Sequence, residues 1–144
     1  MFFPTPQLLM VGDSAAGKTS LVLRFDQDVF STKFVTTIGV DYRDKNVTIR
    51  DTPLRLQLWD TAGQERFRSL TSNFFGRADG FVLAFDLTRR SSFDSVKGWM
   101  RDINARAPPD VEVVLCGNKC DLEEERDVGT EEVRDRERNV VHIQ

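Results

Sequence analysis

Gly12-Asp13-Ser14-Ala15-Ala16-Gly17-Lys18-Thr19 sets two glycines five positions apart, directly ahead of a lysine and a hydroxyl. That spacing is the pattern of a phosphate-cradling loop. The glycines let the backbone curl until successive N–H groups point inward, and a helix N-terminus behind the loop adds positive potential. Lys18 can neutralise phosphate oxygens, and Thr19 can ligate Mg²⁺. The residues expected to hold a triphosphate are therefore Ser14, Ala15, Ala16, Gly17, Lys18, Thr19 and Ser20. Lys18 also counts as catalytic, because its charge would stabilise a phosphoryl group in transfer.

A second group, Trp59-Asp60-Thr61-Ala62-Gly63-Gln64-Glu65, follows an apolar alternating segment. At the carboxyl edge of a sheet Asp60 could hold Mg²⁺ through a water, the Gly63 N–H could sense a terminal phosphate, and Gln64 could orient an attacking water. Taken singly, Asp60 reads equally as a helix cap and Gln64 as an exposed glutamine. The third group is Asn118-Lys119-Cys120-Asp121. The Asp121 carboxylate can accept two N–H donors from guanine, whereas adenine offers none at that edge. Lys119 can lay its stem over the base, and Asn118 can tie this loop to the phosphate loop. In isolation the same residues make a polar turn.

Such loops need a frame. Short apolar runs alternate with segments of helical period, as in crossover units around a largely parallel sheet. Leu8 to Val11 reads as a buried strand, and Leu21, Val22 and Phe25 recur at helical spacing after the glycine loop. Val40 to Ile49 and Leu54 to Trp59 read as a hairpin turning at Asp51-Thr52-Pro53, and Phe81 to Phe85 and Val111 to Leu115 as central parallel strands. Ser91 or Ser92 can cap a helix whose buried stripe is Phe93, Val96, Trp99 or Met100, and Ile103, ending before Pro108-Pro109. From Glu123 to Arg138 charge dominates, with only Val128 and Val133 to bury, which reads as a loop and a short, exposed, weakly held helix.

The 144 residues suit one compact domain over 1–144, and a formal charge of -3 implies no sequence-independent attraction to nucleic acid or anionic lipid. Cys116 and Cys120 form neither a disulfide framework nor a zinc-ligand set, and there is no signal-like start or membrane-spanning run, so the expectation is a cytoplasmic protein.

The three chemical groups, in this order and spacing, are similar to the small GTPases of the Ras superfamily. The stretch from Phe30 through Thr37-Ile38-Gly39-Val40-Asp41-Tyr42, with Leu56 to Phe67, resembles a Rab protein specifically. Ser31 to Thr37, Arg66-Phe67-Arg68-Ser69-Leu70-Thr71 and Leu115 to Lys119 look most like the secretory, exocytic Rab subgroup. The resemblance implies an α/β, three-layer P-loop NTPase fold with one antiparallel edge strand, and GTP or GDP with Mg²⁺ as cofactors. It also implies Phe30 stacked on guanine, Thr37 completing a Mg²⁺ shell with Thr19 and Asp60, and switch residues Gly63 and Gln64. Effectors, exchange factors and activating proteins would read Ile38, Trp59, Phe67 and Phe74, although Trp59 serves equally as core. A monomer is implied.

Two departures stand out. Ala16 occupies a position where Rabs often carry valine, and Phe74-Phe75-Gly76-Arg77-Ala78 permutes a Tyr-Tyr-Arg-Gly-Ala run. The sequence also stops at Gln144, where the family continues into a sixth strand, a Ser-Ala-Lys loop on guanine, a last helix and prenylated cysteines. The expectation is a G domain incomplete at its C-terminus, with apolar sheet surface uncovered, an unpaired edge at Val111 to Leu115 and no stable membrane anchor. His142 reads as inert. Two functions remain: a GTP-hydrolysing switch in vesicle trafficking, and a truncated, non-catalytic interaction module with weak or no nucleotide binding. Asp121 disfavours a third, an adenine-specific ATPase or kinase.

Overall fold

The computed structural model describes residues 3–27, 40–61 and 72–140; for Val40 and residues 137–140 only the backbone is described. Five strands run in the order β2-β3-β1-β4-β5. They are β1 (Gln7–Val11), β2 (Val40–Ile49), β3 (Thr52–Thr61), β4 (Gly80–Asp86) and β5 (Glu112–Asn118). The helices are α1 (Lys18–Gln27), α2 (Arg90–Asp94), α3 (Val96–Arg106) and α4 (Thr130–Val140). All neighbouring strands are parallel except β2 with β3. The expected α/β architecture, with an antiparallel edge strand, is therefore present.

Alternation along the strands divides the core between two faces. Leu9 and Val11 of β1 and Phe81, Leu83 and Phe85 of β4 meet Phe93, Val96, Trp99 and Ile103 on one face. On the other, Met10 and Leu58 pack on Val22 of α1. The hydrophobic run of β4 is buried on both sides because it lies between β1 and β5 with helices above it.

The hairpin turns at Arg50-Asp51 rather than at Asp51-Thr52-Pro53, since Ile49 pairs with Thr52 and Thr48 with Pro53. Arg50 and Asp51 both have positive φ, 49° and 64°. A two-residue turn of this hand matches the twist of the strands it joins, so hairpin closure overrides the preference of these side chains for negative φ. Pro53 fits in the strand because, among the described residues, the segment ahead of β1 meets β3 from Arg55 onward, whose N–H donates to the Pro4 carbonyl.

β5 is an edge strand, not a central one: among the described residues it borders β4 alone. Val114 is 56% exposed on the α1 side of the sheet. The stripe Phe93, Val96, Trp99, Met100 and Ile103 is buried as expected, but the helix divides at Ser95 and neither serine caps it. Buried Ser92 instead donates to the Arg89 carbonyl and accepts the Asp86 N–H, fastening the helix to the end of β4. Leu87 does the same for the next segment, its carbonyl accepting the N–H groups of Asp127 and Val128. α4 is then docked by Val128, fully buried, and by Arg90, which reaches Glu132 at 2.7 Å.

Replacing Phe85 by alanine should lower unfolding free energy in urea by about 3–5 kcal/mol, the range for truncating a buried aromatic. Val114→Thr, at the half-open edge, should change it by less than about 0.5 kcal/mol.

Candidate functional site

The chain reverses its direction of travel across the sheet at β1, which has β3 on one side and β4 on the other. Ligands of open α/β sheets settle in the crevice at such a point, outside the carboxyl ends of the strands. Four strands end there. β1 leads into Gly12, β3 ends on Asp60-Thr61, β4 on Asp86 and β5 on Asn118.

Gly12 has φ +138°, and a Cβ on it would lie 2.1 Å from the Ala84 carbonyl oxygen of β4. Gly17, at φ +91°, would set a Cβ 2.0 Å from the Asn118 amide nitrogen. Only glycine lets the loop pass this close to both strands. Between them the Ala16 N–H donates to the Asp13 carbonyl at 3.2 Å, Ala15 sits at φ 64°, and the Leu21 N–H to Gly17 carbonyl bond starts α1. Ser14 and Ser20 are half-buried beside the loop.

Lys18 folds back over this loop. It is 5% exposed, and its ammonium donates to the Gly12 carbonyl at 2.8 Å and the Asp13 carbonyl at 2.7 Å. Burial pushes its pKa down to about 8, against the pull of Asp60 and Asp13. The ammonium is thus ringed by oxygens at the N-terminal end of α1, where an anion would be drawn.

Asp60 is 2% exposed, and its Oδ2 accepts the Thr19 hydroxyl at 2.5 Å. Burial pushes its carboxyl up, with the Thr19 hydrogen bond and Lys18 acting the other way. Its Oδ1 is buried with no hydrogen-bond partner among the described residues. A spare carboxylate oxygen beside a hydroxyl is a hard donor set that fits Mg²⁺, which takes one or two protein ligands and keeps the rest for water and phosphate. Thr61, fully buried, donates to the Met10 carbonyl at 2.5 Å and locks the end of β3 to β1.

At the end of β5 the Asn118 amide donates to the Ala16 carbonyl at 2.9 Å, and Lys119 donates to the Ala15 carbonyl at 3.0 Å. The Lys119 ammonium also pairs with Asp86 Oδ2 at 2.8 Å. Burial by itself would raise the Asp86 carboxyl, but Lys119 and two hydrogen bonds from Thr88 outweigh it and hold the pKa below the ordinary carboxylate value. Lys119 takes φ 67°, and the Leu122 N–H to Lys119 carbonyl bond closes a turn that carries Asp121, exposed, on its outer side.

Lys18, Thr19, Asp60, Asn118 and Lys119 are therefore brought to one end of the sheet. Phe30, Thr37, Ile38, Gly63, Gln64 and Phe67 lie outside the described residues. Of the aromatic surface, Trp59 is half-buried between Tyr42, at 4.9 Å, and Phe74, at 5.2 Å between ring centroids. The sequence assigns no role at the site to Tyr42, to Asp86 or to Trp99, whose indole donates to the Asp13 carboxylate at 2.9 Å. An acid closing the buried run Phe81 to Phe85 was a usable signal for Asp86; Trp99 carried none beyond its place in an apolar stripe.

The profile described as the Ras family matches residues 7–143. "Ras-related protein Rab-8B" of Homo sapiens is 45% identical over 125 residues, 87% of this chain and 60% of that protein. "Ras-related protein Rab-8" of Diplobatis ommata is 46% identical over 125 residues, again 87% and 60%. "Ras-related protein Rab-10" of the same species is 45% identical over 120 residues, 83% of this chain and 60% of the relative. The chain spans about 60% of the length of the curated relatives it matches. No helix among the described residues is long and apolar enough to cross a membrane. With a family match running from the first strand past α4, the chain belongs to the Ras family, and its likeness within that family is to the Rab proteins.

Proposed function

We propose that this chain is a guanine-nucleotide-dependent switch that hydrolyses GTP slowly and acts in intracellular vesicle trafficking, in the exocytic branch. The observation that carries the reading is the convergence of Lys18, Thr19 and Asp60 with Asn118 and Lys119 at the carboxyl edge of one sheet. Phosphates would occupy the loop of Ser14, Ala15, Ala16, Gly17, Lys18, Thr19 and Ser20, with Lys18 exchanging its carbonyl partners for phosphate oxygens. Thr19, Asp60 and Thr37 would hold Mg²⁺, which when bound neutralises charge on the terminal phosphates.

Guanine would rest against the Lys119 stem and Phe30, its N–H groups meeting Asp121. Asp86 would act on the base indirectly, by pinning the Lys119 ammonium. Gly63 would sense the terminal phosphate and Gln64 would orient the attacking water. No arginine is assigned to the transferring phosphate, so full speed would need an activating protein, worth roughly 10³ to 10⁵ in rate. The ring contacts Tyr42–Trp59–Phe74 suit an effector surface shared with Ile38 and Phe67.

Purified chain should bind labelled GDP with Mg²⁺, with GTP competing and ATP not; failure to bind would favour the interaction module instead. Lys18→Ala should weaken that binding by about 10²-fold, as expected for losing charge-assisted bonds to phosphate. Gln64→Leu should slow single-turnover hydrolysis by about tenfold or more; equal rates would remove Gln64 from the mechanism. Asp86→Asn should speed GDP release several-fold at neutral pH. Because the folded carboxyl is held below its ordinary value, the ion pair is intact at neutral pH and is lost only as the pH falls through that lowered value. In wild type, release should therefore show no loss of the Lys119 tie until strongly acid pH.

A further inference from the structure

The phosphate loop carries an acid at its second position, Asp13, where a negative charge would oppose an incoming anion. Its side chain is engaged elsewhere: Oδ1 accepts the Trp99 indole N–H at 2.9 Å, across 86 positions of sequence. Trp99 is 1% exposed, on the α3 stripe with Val96 and Ile103, each no more than 1% exposed. A buried indole has one polar atom and needs an acceptor for it, so this bond is fixed by core packing. The backbone of Asp13 is equally committed, its carbonyl accepting both the Lys18 ammonium, at 2.7 Å, and the Ala16 N–H, at 3.2 Å. A continuous set of contacts therefore runs from the packed face of α3, through one residue of the loop, to the Lys18 ammonium.

We propose that Trp99 is a positioning residue for the nucleotide, acting through Asp13. The indole N–H holds the carboxylate against α3 and sets the curvature of residues 13–18 before ligand arrives. Preorganisation of this kind lowers the ordering cost of binding. The inference rests on the proposed guanine-nucleotide function for its consequence in affinity, while the loop tie itself is independent of it.

Trp99→Phe keeps the ring in the core and removes the donor. In the full chain it should make the amides of residues 14–18 exchange hydrogen about tenfold faster, and labelled GDP leave about three- to tenfold faster, as expected when only part of the loss of one hydrogen bond to a charged group reaches the nucleotide through the loop. Asp13→Ala attacks the same bond from a half-buried position and serves if the tryptophan variant does not fold. The double variant should release GDP no faster than Asp13→Ala alone, because with the carboxylate gone Trp99→Phe has no bond to Asp13 left to remove. Asp13→Asn, which keeps an acceptor oxygen, should restore most of the slow release. Additive effects, or a lowered melting temperature with unchanged loop exchange, would overturn the proposal by making Trp99 merely structural. If the parent chain fails to bind labelled GDP, the proposed function falls, and loop exchange in Trp99→Phe against parent still decides the tie.

Discussion

Holding Lys18 at 5% exposure is the constraint on which the site is built. A buried ammonium without partners would lose its proton or unfold its surroundings. Here the carbonyls of Gly12 and Asp13 surround it, with Asp60 close by, and the remaining cost of burial shows in a pKa drawn down to about 8. Those carbonyls can face inward only because the chain leaves β1 in a conformation closed to side chains, pressed against the Ala84 carbonyl of β4. Sheet order, glycine and lysine thus form a single requirement.

The same economy of contacts joins the other loops. Asn118 and Lys119, at the end of β5, each donate to a carbonyl of the phosphate loop, so the two segments share position rather than merely lying near one another. Asp86 stands between them at the end of β4, where its register partner is Asn118. An acid buried to 1% exposure is tolerable there because Lys119 and Thr88 supply its partners. Displacing any one of these groups would leave a charge or a donor unmatched in a low-dielectric setting, which couples the base loop to the phosphate loop.

Packing is unequal on the two faces of the sheet. Among the described residues the α3 face holds most of the large buried side chains, such as Trp99, Phe75, Phe81 and Phe85, and is the firm side. On the α1 face the buried cluster is Met10, Val22 and Leu58, and Val114 stands open beside it. The loops of the site lie above both faces, with Asp13 bonded to the firm one and Lys18 beginning the helix of the other.

Legibility from sequence followed the same division. The glycine loop, Asp60 and the turn at Asn118 were legible as segments that meet at one sheet edge because each follows a strand within a few consecutive residues, and the apolar runs of β1 and β4 announced burial directly. The turn at Arg50-Asp51 was not readable, since neither residue carries the glycine or asparagine that normally marks positive φ, and only the pairing of Ile49 with Thr52 requires it. The apolar run Val113, Val114 and Leu115 by itself reads as a central strand because it reports apolar character and not neighbours; only the family resemblance pointed to an open edge there. The bond of Trp99 to Asp13 and the pairing of Lys119 with Asp86 were invisible for a further reason. Local periodicity records which side of an element is buried, whereas the partner met on that side depends on how distant segments are ordered across the sheet, and that order exists only once the chain has folded.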